Sequence, residues 1–269
     1  MELPAFVRTW HGIDLAELAS EQATNQMPAG PEFYSETYSA LEDGRGKTDD
    51  RWIQEKLTLG NLVADELLEP WARQNHRRPR ILALCSGAGV AEGVWLERGY
   101  HVTLHECQAT SLRTVCTLYA EAGTLICDIR QIAVPPDFDV TVCLASEYFL
   151  SKEELLELMR KVSSSLRPNG LFVLHSVSAL SVRQWLAEMA KKVLGRYRTR
   201  PHVFWGWWRT PSEFCRTADH AGLTLAAAYT FGASGEEFKS MRRRLRIFSS
   251  WPTFSTTDVL MVFRPSCGR

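Results

Sequence analysis

The stretch ILALCSGAGVAEGVWLERGYHVTLHE, Ile81 to Glu106, reads as an apolar strand, a glycine turn, a helix and a second apolar strand ending on a carboxylate. Short apolar runs bounded by turn formers suit strands buried on both faces, and a helix joining two of them makes a parallel crossover. The same alternation continues on both sides. RILAL (80–84), HVTLHE (101–106), TLIC (124–127), FDVTVCLA (138–145) and GLFVLHSV (170–177) are separated by stretches with apolar residues at helical spacing. Leu112, Val115, Cys116 and Tyr119 share one helical face, as do Leu155, Leu158, Met159 and Val162, and then Val182, Trp185, Met189 and Val193. These stripes predict helices that cover a parallel sheet.

Local signals fix several boundaries. Ser151 and Glu154 have the spacing of a capping box, with Leu150 and Leu155 as its hydrophobic staple. Thr210, Pro211 and Glu213 repeat the device with proline at the first helical position, and Gly222 ends that helix. LTLAAAYTF (223–231) and TTDVLMVFRP (256–265) then finish the chain as strands. The interval between them holds no further helix-plus-strand unit, so an antiparallel pairing is expected there.

Ahead of the alternating region, Leu15 to Met27 is weakly helical, and PAGPEFYSETYSALEDGRGKTDD (28–50) mixes turn formers with aromatics. Asp49 or Asp50 can N-cap a helix carrying Trp52, Leu57, Leu59, Leu62, Val63 and Leu67, ending near Pro70. Residues 1–75 are read as a helical cap or arm and residues 76–269 as the main domain.

With 31 basic and 31 acidic residues the formal charge is zero, so no global field draws the chain to nucleic acid or acidic lipid. No basic region precedes an apolar segment at the N-terminus, and no run reaches membrane-spanning length, which predicts a cytoplasmic protein. The seven cysteines form no CxxC pair; free thiols are expected, with neither zinc nor a disulfide framework.

A glycine turn between strand and helix brings backbone N–H groups close to a ligand. In the dinucleotide pattern GxGxxG counted from Gly87 and Gly89, the third glycine falls on Glu92, where a carboxylate repels pyrophosphate or crowds the helix. ILALCSGAG, the acid-ended HVTLHE, CDI, FDVTVCLASEYF and LRPNGLFVL, in this order and spacing, instead resemble class I S-adenosylmethionine-dependent methyltransferases. With RTPSEFCRTADHAGL and the last two strands, the resemblance runs from Arg80 to near the C-terminus. It implies a Rossmann-like α/β fold: a mostly parallel seven-stranded sheet with an antiparallel last strand, flanked by helices.

The resemblance also places a cofactor, S-adenosylmethionine, with S-adenosylhomocysteine as product. Cys85, Ser86, Gly87, Ala88 and Gly89 would lie under its amino-acid and ribose portions. Glu106 would accept from both ribose hydroxyls, a role suited to an ionised carboxylate. Cys107 would lie beside the adenine, Asp128 would accept from the adenine amino group, Ile129 would pack on the ring, and Ala145 and Ser146 would lie beneath the reactive methyl. Two positions depart from the family pattern: Ala83 stands where an acid is frequent, which lowers the expected cofactor affinity. Cys85 stands where a first glycine is frequent, and predicts ordinary backbone angles there.

Methyl transfer requires alignment of a nucleophile and, for many acceptors, removal of a proton. His175 closes the fifth strand and is the first candidate base; Glu147 and Tyr148 follow the fourth strand and can orient a hydroxyl or amine. A metal-assisted mechanism would want several oxygen ligands at these strand ends, and Glu147 alone is clear, so no metal is expected. Tyr34, Tyr38, Trp52 and Trp205 are candidate substrate-binding residues, since Phe33, Tyr34, Tyr38 and Trp52 with HVFWGWWRT (202–210) concentrate aromatic surface suited to a planar or apolar acceptor. Trp205, Trp207 and Trp208 cannot all face one way in extended chain. Arg242, Arg243, Arg244 and Arg246 form a basic cluster too narrow for nucleic acid.

The expected activity is therefore methyl transfer to a small organic acceptor, oxygen favoured over nitrogen or carbon, in natural-product biosynthesis, by a monomer or homodimer without nucleic-acid or membrane partners. A protein or RNA acceptor, and a non-catalytic scaffold suggested by Ala83 and Cys85, are the alternatives.

Overall fold

A computed structural model describes residues 3–18, 31–177, 182–194, 203–231, 238–240 and 258–266. The basic cluster at Arg242 to Arg246 and Cys267 lie outside the described residues.

The arm opens with β1 (Leu3–Val7) and a hairpin, β2 (Thr9–Trp10) and β3 (Ile13–Asp14). His11 and Gly12 turn that hairpin with φ of 51° and 82°, the left-handed pair a two-residue hairpin favours. Helices α1 (Leu15–Leu18), α2 (Pro31–Glu42) and α3 (Asp50–Val63) follow. Asp49 is the N-cap of α3: its carboxylate accepts from the Arg51 N–H at 2.9 Å. The helix does not stop near Pro70. A wide turn at Ala64–Leu68 leads into α4 (Glu69–Asn75), where proline sits at the start of a new segment and its missing N–H costs little.

The main domain runs β4 (Arg80–Leu84), α5 (Val90–Glu97), β5 (His101–Glu106), α6 (Arg113–Leu118), β6 (Gly123–Ile126), β7 (Phe138–Leu144), α7 (Lys152–Ser165), β8 (Leu166–Ser176), α8 (Val182–Val193), β9 (Val203–Trp208), α9 (Pro211–His220), β10 (Leu223–Phe231), β11 (Phe238–Ser240) and β12 (Val259–Pro265). The sheet order is β11-β10-β12-β8-β7-β4-β5-β6. From β6 to β8 all neighbours are parallel, and β12 is antiparallel to both β8 and β10. This is the expected seven-stranded sheet, extended at one edge by the short β11. Both capping boxes form, on Ser151 and Thr210.

Two expectations need correction. The arm is not purely helical: β1 pairs antiparallel with β9, some 200 residues away in sequence, as Leu3↔Trp208 to Val7↔Val203. Such a non-local partner is invisible in the local pattern. The α8 stripe does not cover the sheet either, since Met189 is 37% and Val193 79% exposed.

Apolar packing explains where the site lies. One face of the sheet is covered by α3, α5 and α6 through Leu59, Val63, Trp95 and Val115, the other by α7 and α9 through Leu155, Met159, Val162 and Phe214. Gly60 lets α3 cross α5 closely, because a Cβ there would stand 2.6 Å from the Ala91 carbonyl oxygen. The chain leaves β4 for β5 and β6 on one side, then returns to β7 on the other. The carboxyl ends of β4 and β7 therefore flank the topological switch point, where open α/β sheets bind ligands.

Candidate active site

The turn after β4 is shaped by left-handed residues. Gly87 and Gly89 have φ of 57° and 71°, and Cys85 also lies there, at 51°. Cys85 thus departs from the ordinary angles expected of a non-glycine residue, and this strained geometry is held from both sides. Its N–H donates to His105 Nδ1 at 3.2 Å, and the next N–H, of Ser86, donates to the His105 carbonyl at 3.0 Å. Acceptance at Nδ1 requires neutral imidazole, and burial pushes His105 down to about 4. Ala145, at the end of β7, is likewise left-handed with φ of 58°.

Glu106 ends β5 and turns its carboxylate toward the glycine loop. Oε2 accepts from the Gly87 N–H at 2.8 Å and Oε1 from the Cys107 N–H at 2.7 Å, with the residue 6% exposed. Each oxygen keeps a further lone pair, so the carboxylate is fixed in position while still able to accept from a pair of hydroxyls. Above the loop stands Tyr38 of α2, whose hydroxyl lies 2.7 Å from where a Cβ on Gly87 would be. Burial raises the Tyr38 phenol, with the Glu106 charge adding to it.

The other sequence-predicted cofactor residues divide. Ser146 stays at the crossing: its hydroxyl donates to the Cys85 and Leu144 carbonyls, each at 3.3 Å, linking the tips of β4 and β7. Asp128 is tied up by Arg130, whose Nε and Nη2 reach its two oxygens at 2.9 and 2.7 Å. Burial raises this carboxyl, but the Arg130 guanidinium outweighs it and the net shift is downward. Ile129 packs into the sheet core with Leu82 and Leu84.

Tyr34, Tyr148 and Trp205 meet in one aromatic cluster. Tyr148 and Trp205 stack at 5.6 Å and 13°, and Tyr34 stands edge-on to Trp205 at 6.0 Å. Trp205 and Trp207, two apart, would share a face in a regular strand; the β1–β9 pairing skips Trp205, going from Ala5↔Gly206 to Phe6↔Phe204, and Trp207 contacts Phe204. Trp52 lies apart from them, against His11 at 5.1 Å. Trp10, which no local pattern singles out, connects the two groups: it touches Tyr38, Trp205 and His11. Trp10, His11, Lys47, Arg51, Trp52 and Asp258 are among the residues lining a cavity of about 710 Å³.

The tips of β7 and β8 carry a charged cluster. Glu147 is fully buried in a short turn and His175 is 5% exposed. His175 Nε2 is 3.7 Å from Asp258 Oδ1, yet burial, with Lys56 adding to it, pushes the imidazole down to about 3. Lys56 reaches this cluster from α3 and feels Glu92, Glu147, Cys143 and Asp258; burial lowers its ammonium overall. Arg209, 2% exposed, donates to the carbonyls of Glu147 and Leu150 and so fixes the turn that carries Glu147. Lys56, Asp258 and Arg209 escaped the sequence reading because each is far in sequence from the turn after β7, and Glu92 entered it only as the residue that breaks the dinucleotide pattern. Among the described residues no group of histidine, cysteine and carboxylate side chains is placed to hold a metal, and no helix is long and apolar enough to cross a membrane.

No family model matches the sequence, and no curated protein aligns with it. Solved structures are similar. A 1,6-didemethyltoxoflavin-N1-methyltransferase from Burkholderia thailandensis, with 1,6-didemethyltoxoflavin and S-adenosylhomocysteine bound, superposes with TM-score 0.56 at 13% identity, over 88% of this chain and 91% of that one. Magnesium protoporphyrin IX methyltransferase from Synechocystis PCC 6803, with bound S-adenosylhomocysteine, gives 0.57 at 11% identity over 87% and 96%. An O-methyltransferase family protein from Burkholderia thailandensis gives 0.60 at 13% identity over 95% and 69%. At such identities the likeness establishes the fold. It is the fold of the class I S-adenosylmethionine-dependent methyltransferases.

Proposed function

We propose that the protein transfers a methyl group from S-adenosylmethionine to a small organic acceptor, oxygen favoured, in the making of a natural product. The observation that carries this is the Glu106 carboxylate, fixed by the Gly87 and Cys107 amides at the switch point of a methyltransferase fold. The residues fit the cofactor: the left-handed Gly87 and Gly89 leave the loop free of side chains, and Glu106 supplies the acceptor that a ribose diol needs. The neighbours crystallised with S-adenosylhomocysteine support the same cofactor.

Bound there, the cofactor supplies an electrophilic methyl on a sulfonium sulfur. Cys85 to Gly89 cradle its amino-acid and ribose portions, and Glu106 holds the ribose. Cys107 and Asp128 border the adenine, Asp128 oriented by Arg130, while Ile129 supports them from the core rather than packing on the ring. Ala145 and Ser146 floor the reacting centre. The arm, residues 1–75, roofs the acceptor with Tyr34 and Tyr38, Trp205 and Tyr148 wall it, and Trp52 lines the way in.

The proton of an acceptor O–H or N–H must go to a side chain. His175 would become a second buried cation beside Lys56, which its lowered basicity disfavours. We therefore assign proton acceptance to Glu147, with His175 as a neutral hydrogen-bonding group that orients the acceptor and Tyr148 beside it. The test is calorimetric binding of S-adenosylhomocysteine, followed by transfer of labelled methyl from S-adenosylmethionine into pools of small molecules, protein and RNA. Label in the small-molecule pool supports the reading; label confined to protein or RNA, or binding without transfer, overturns it.

A further inference from the structure

Glu92 occupies the third position of α5, directly after the glycine loop, and is 3% exposed. Beyond its own backbone N–H, it has no hydrogen-bond or ion-pair partner among the described residues. Burial raises its carboxyl to about 7, a shift that Lys56 reduces and Glu106 increases. Across from it on α3, the Lys56 ammonium makes no hydrogen bond or ion pair among the described residues, its nearest ring being Trp52 at 5.6 Å. Although α3 and α5 cross closely at Gly60 and Ala91, the two opposite charges form no ion pair within 4.0 Å. Leaving a buried carboxylate and a half-buried ammonium without a direct partner is costly unless something enters between them.

The entrant needs a cation and an anion of its own, a short distance apart. β4, RILAL, carries no carboxylate, and Ala83 near its end is apolar and 1% exposed, so an ammonium at this loop finds no acid on that strand. We propose that Glu92 and Lys56, on the facing helices α5 and α3, form a clamp for the α-amino-acid end of the cofactor, Glu92 receiving its ammonium and Lys56 its carboxylate. This rests on the cofactor reading above and assigns two residues that it does not use.

The clamp binds the zwitterion and leaves the nucleoside alone, which gives a sharp comparison. S-Adenosylhomocysteine carries the amino-acid end; methylthioadenosine has the same nucleoside and sulfur without it. In the full chain, Glu92→Gln and Lys56→Met each weaken S-adenosylhomocysteine by about tenfold to a hundredfold, the range of a lost charged hydrogen bond, and leave methylthioadenosine binding unchanged. A second readout uses the intact protein. Burial keeps Glu92 partly protonated near neutral pH, and it becomes ionised against an ammonium, so S-adenosylhomocysteine binding releases protons, seen as binding heat that varies with buffer.

Lys56, lowered by burial and facing Glu92, Glu147, Cys143, Asp258 and His175, contributes only uptake. The release is therefore read as the difference between wild type and Glu92→Gln, and methylthioadenosine shows none. Equal loss of both ligands, no loss of either, or no proton release specific to S-adenosylhomocysteine overturns the clamp. If wild type binds neither ligand, the cofactor reading itself fails.

Discussion

The Gly87 N–H donates to Glu106 Oε2 at 2.8 Å, joining the turn after β4 to the last residue of β5. One contact thereby sets the loop conformation and the direction of the only carboxylate at the end of that strand. Glu106→Ala removes the acceptor for Gly87, for Cys107 and for the proposed ribose hydroxyls. We expect S-adenosylhomocysteine affinity to fall by about 1 to 3 kcal/mol by calorimetry, in a variant that keeps its far-ultraviolet spectrum. An unchanged affinity would remove Glu106 from the site.

Arg209 reaches from the residue after β9 to the turn at Glu147–Phe149, donating to the Glu147 and Leu150 carbonyls. Arg209→Met fills similar volume and takes the guanidinium donor from both carbonyls, the Glu147 carbonyl keeping only the Leu150 N–H at 3.3 Å. The expected cost is about 1 to 3 kcal/mol in urea unfolding. Turnover should drop more than S-adenosylhomocysteine affinity, because the turn carries Glu147 and Tyr148 rather than the ribose acceptor. Equal losses in the two would mean that the turn also shapes the cofactor crevice.

The sheet was legible in the sequence because buried parallel strands are apolar throughout, so RILAL and HVTLHE coincide with β4 and β5 residue for residue. Ser151 and Thr210 were legible because a capping box is a local device. The β1–β9 pair was not, since the partner of Leu3–Val7 is Val203–Trp208, far along the chain, and nothing local marks it. Cys85 was misjudged for a related reason: its left-handed angle is imposed by the His105 side chain and backbone from the neighbouring strand. The charged cluster was hidden most deeply. Lys56 reads as an ordinary helical lysine until α3 is laid against α5, and Glu92 reads as a misplaced glycine.

Gly60 in α3 separates two opposing effects. Glycine in a helix interior is worse than alanine by about 1 kcal/mol, so propensity alone predicts that Gly60→Ala stabilises the protein. The added Cβ, however, would meet the Ala91 carbonyl oxygen at 2.6 Å, and that atom belongs to a backbone that Trp95 Nε1 also ties to the Gly60 carbonyl at 2.8 Å. Backbone cannot yield cheaply, so we expect net destabilisation of about 1 to 3 kcal/mol by urea melts. A stabilised variant would show that α3 can slide over α5, which would also weaken the case for a fixed Glu92–Lys56 separation.

Acid stability tests the buried imidazoles. His105 and His175 titrate at about 4 and about 3 when folded, against an ordinary value of 6.5, with burial the leading cause in both. A group whose folded value is depressed stabilises the fold fully above its unfolded value and loses that contribution as pH falls through the folded one. Both contributions are therefore intact above 6.5 and decline through the window down to about 4 and about 3. Glu92 acts in the opposite sense: its carboxyl is raised from 4.5 to about 7, so its contribution is present below 4.5 and lost as pH rises through 7. Going from pH 6.5 to 4.5, two histidines lose stability while one glutamate gains it, and each site can change stability by at most about 1.4 kcal/mol per pH unit, so the loss prevails. We expect unfolding free energy from urea melts to fall across that window in the wild type. His105→Asn keeps an acceptor near the position of Nδ1 but cannot take up a proton, so its profile should be flatter by up to that single-site slope. Parallel wild-type and variant profiles would show that His105 is already able to ionise in the folded protein and that the Cys85 N–H does not depend on it.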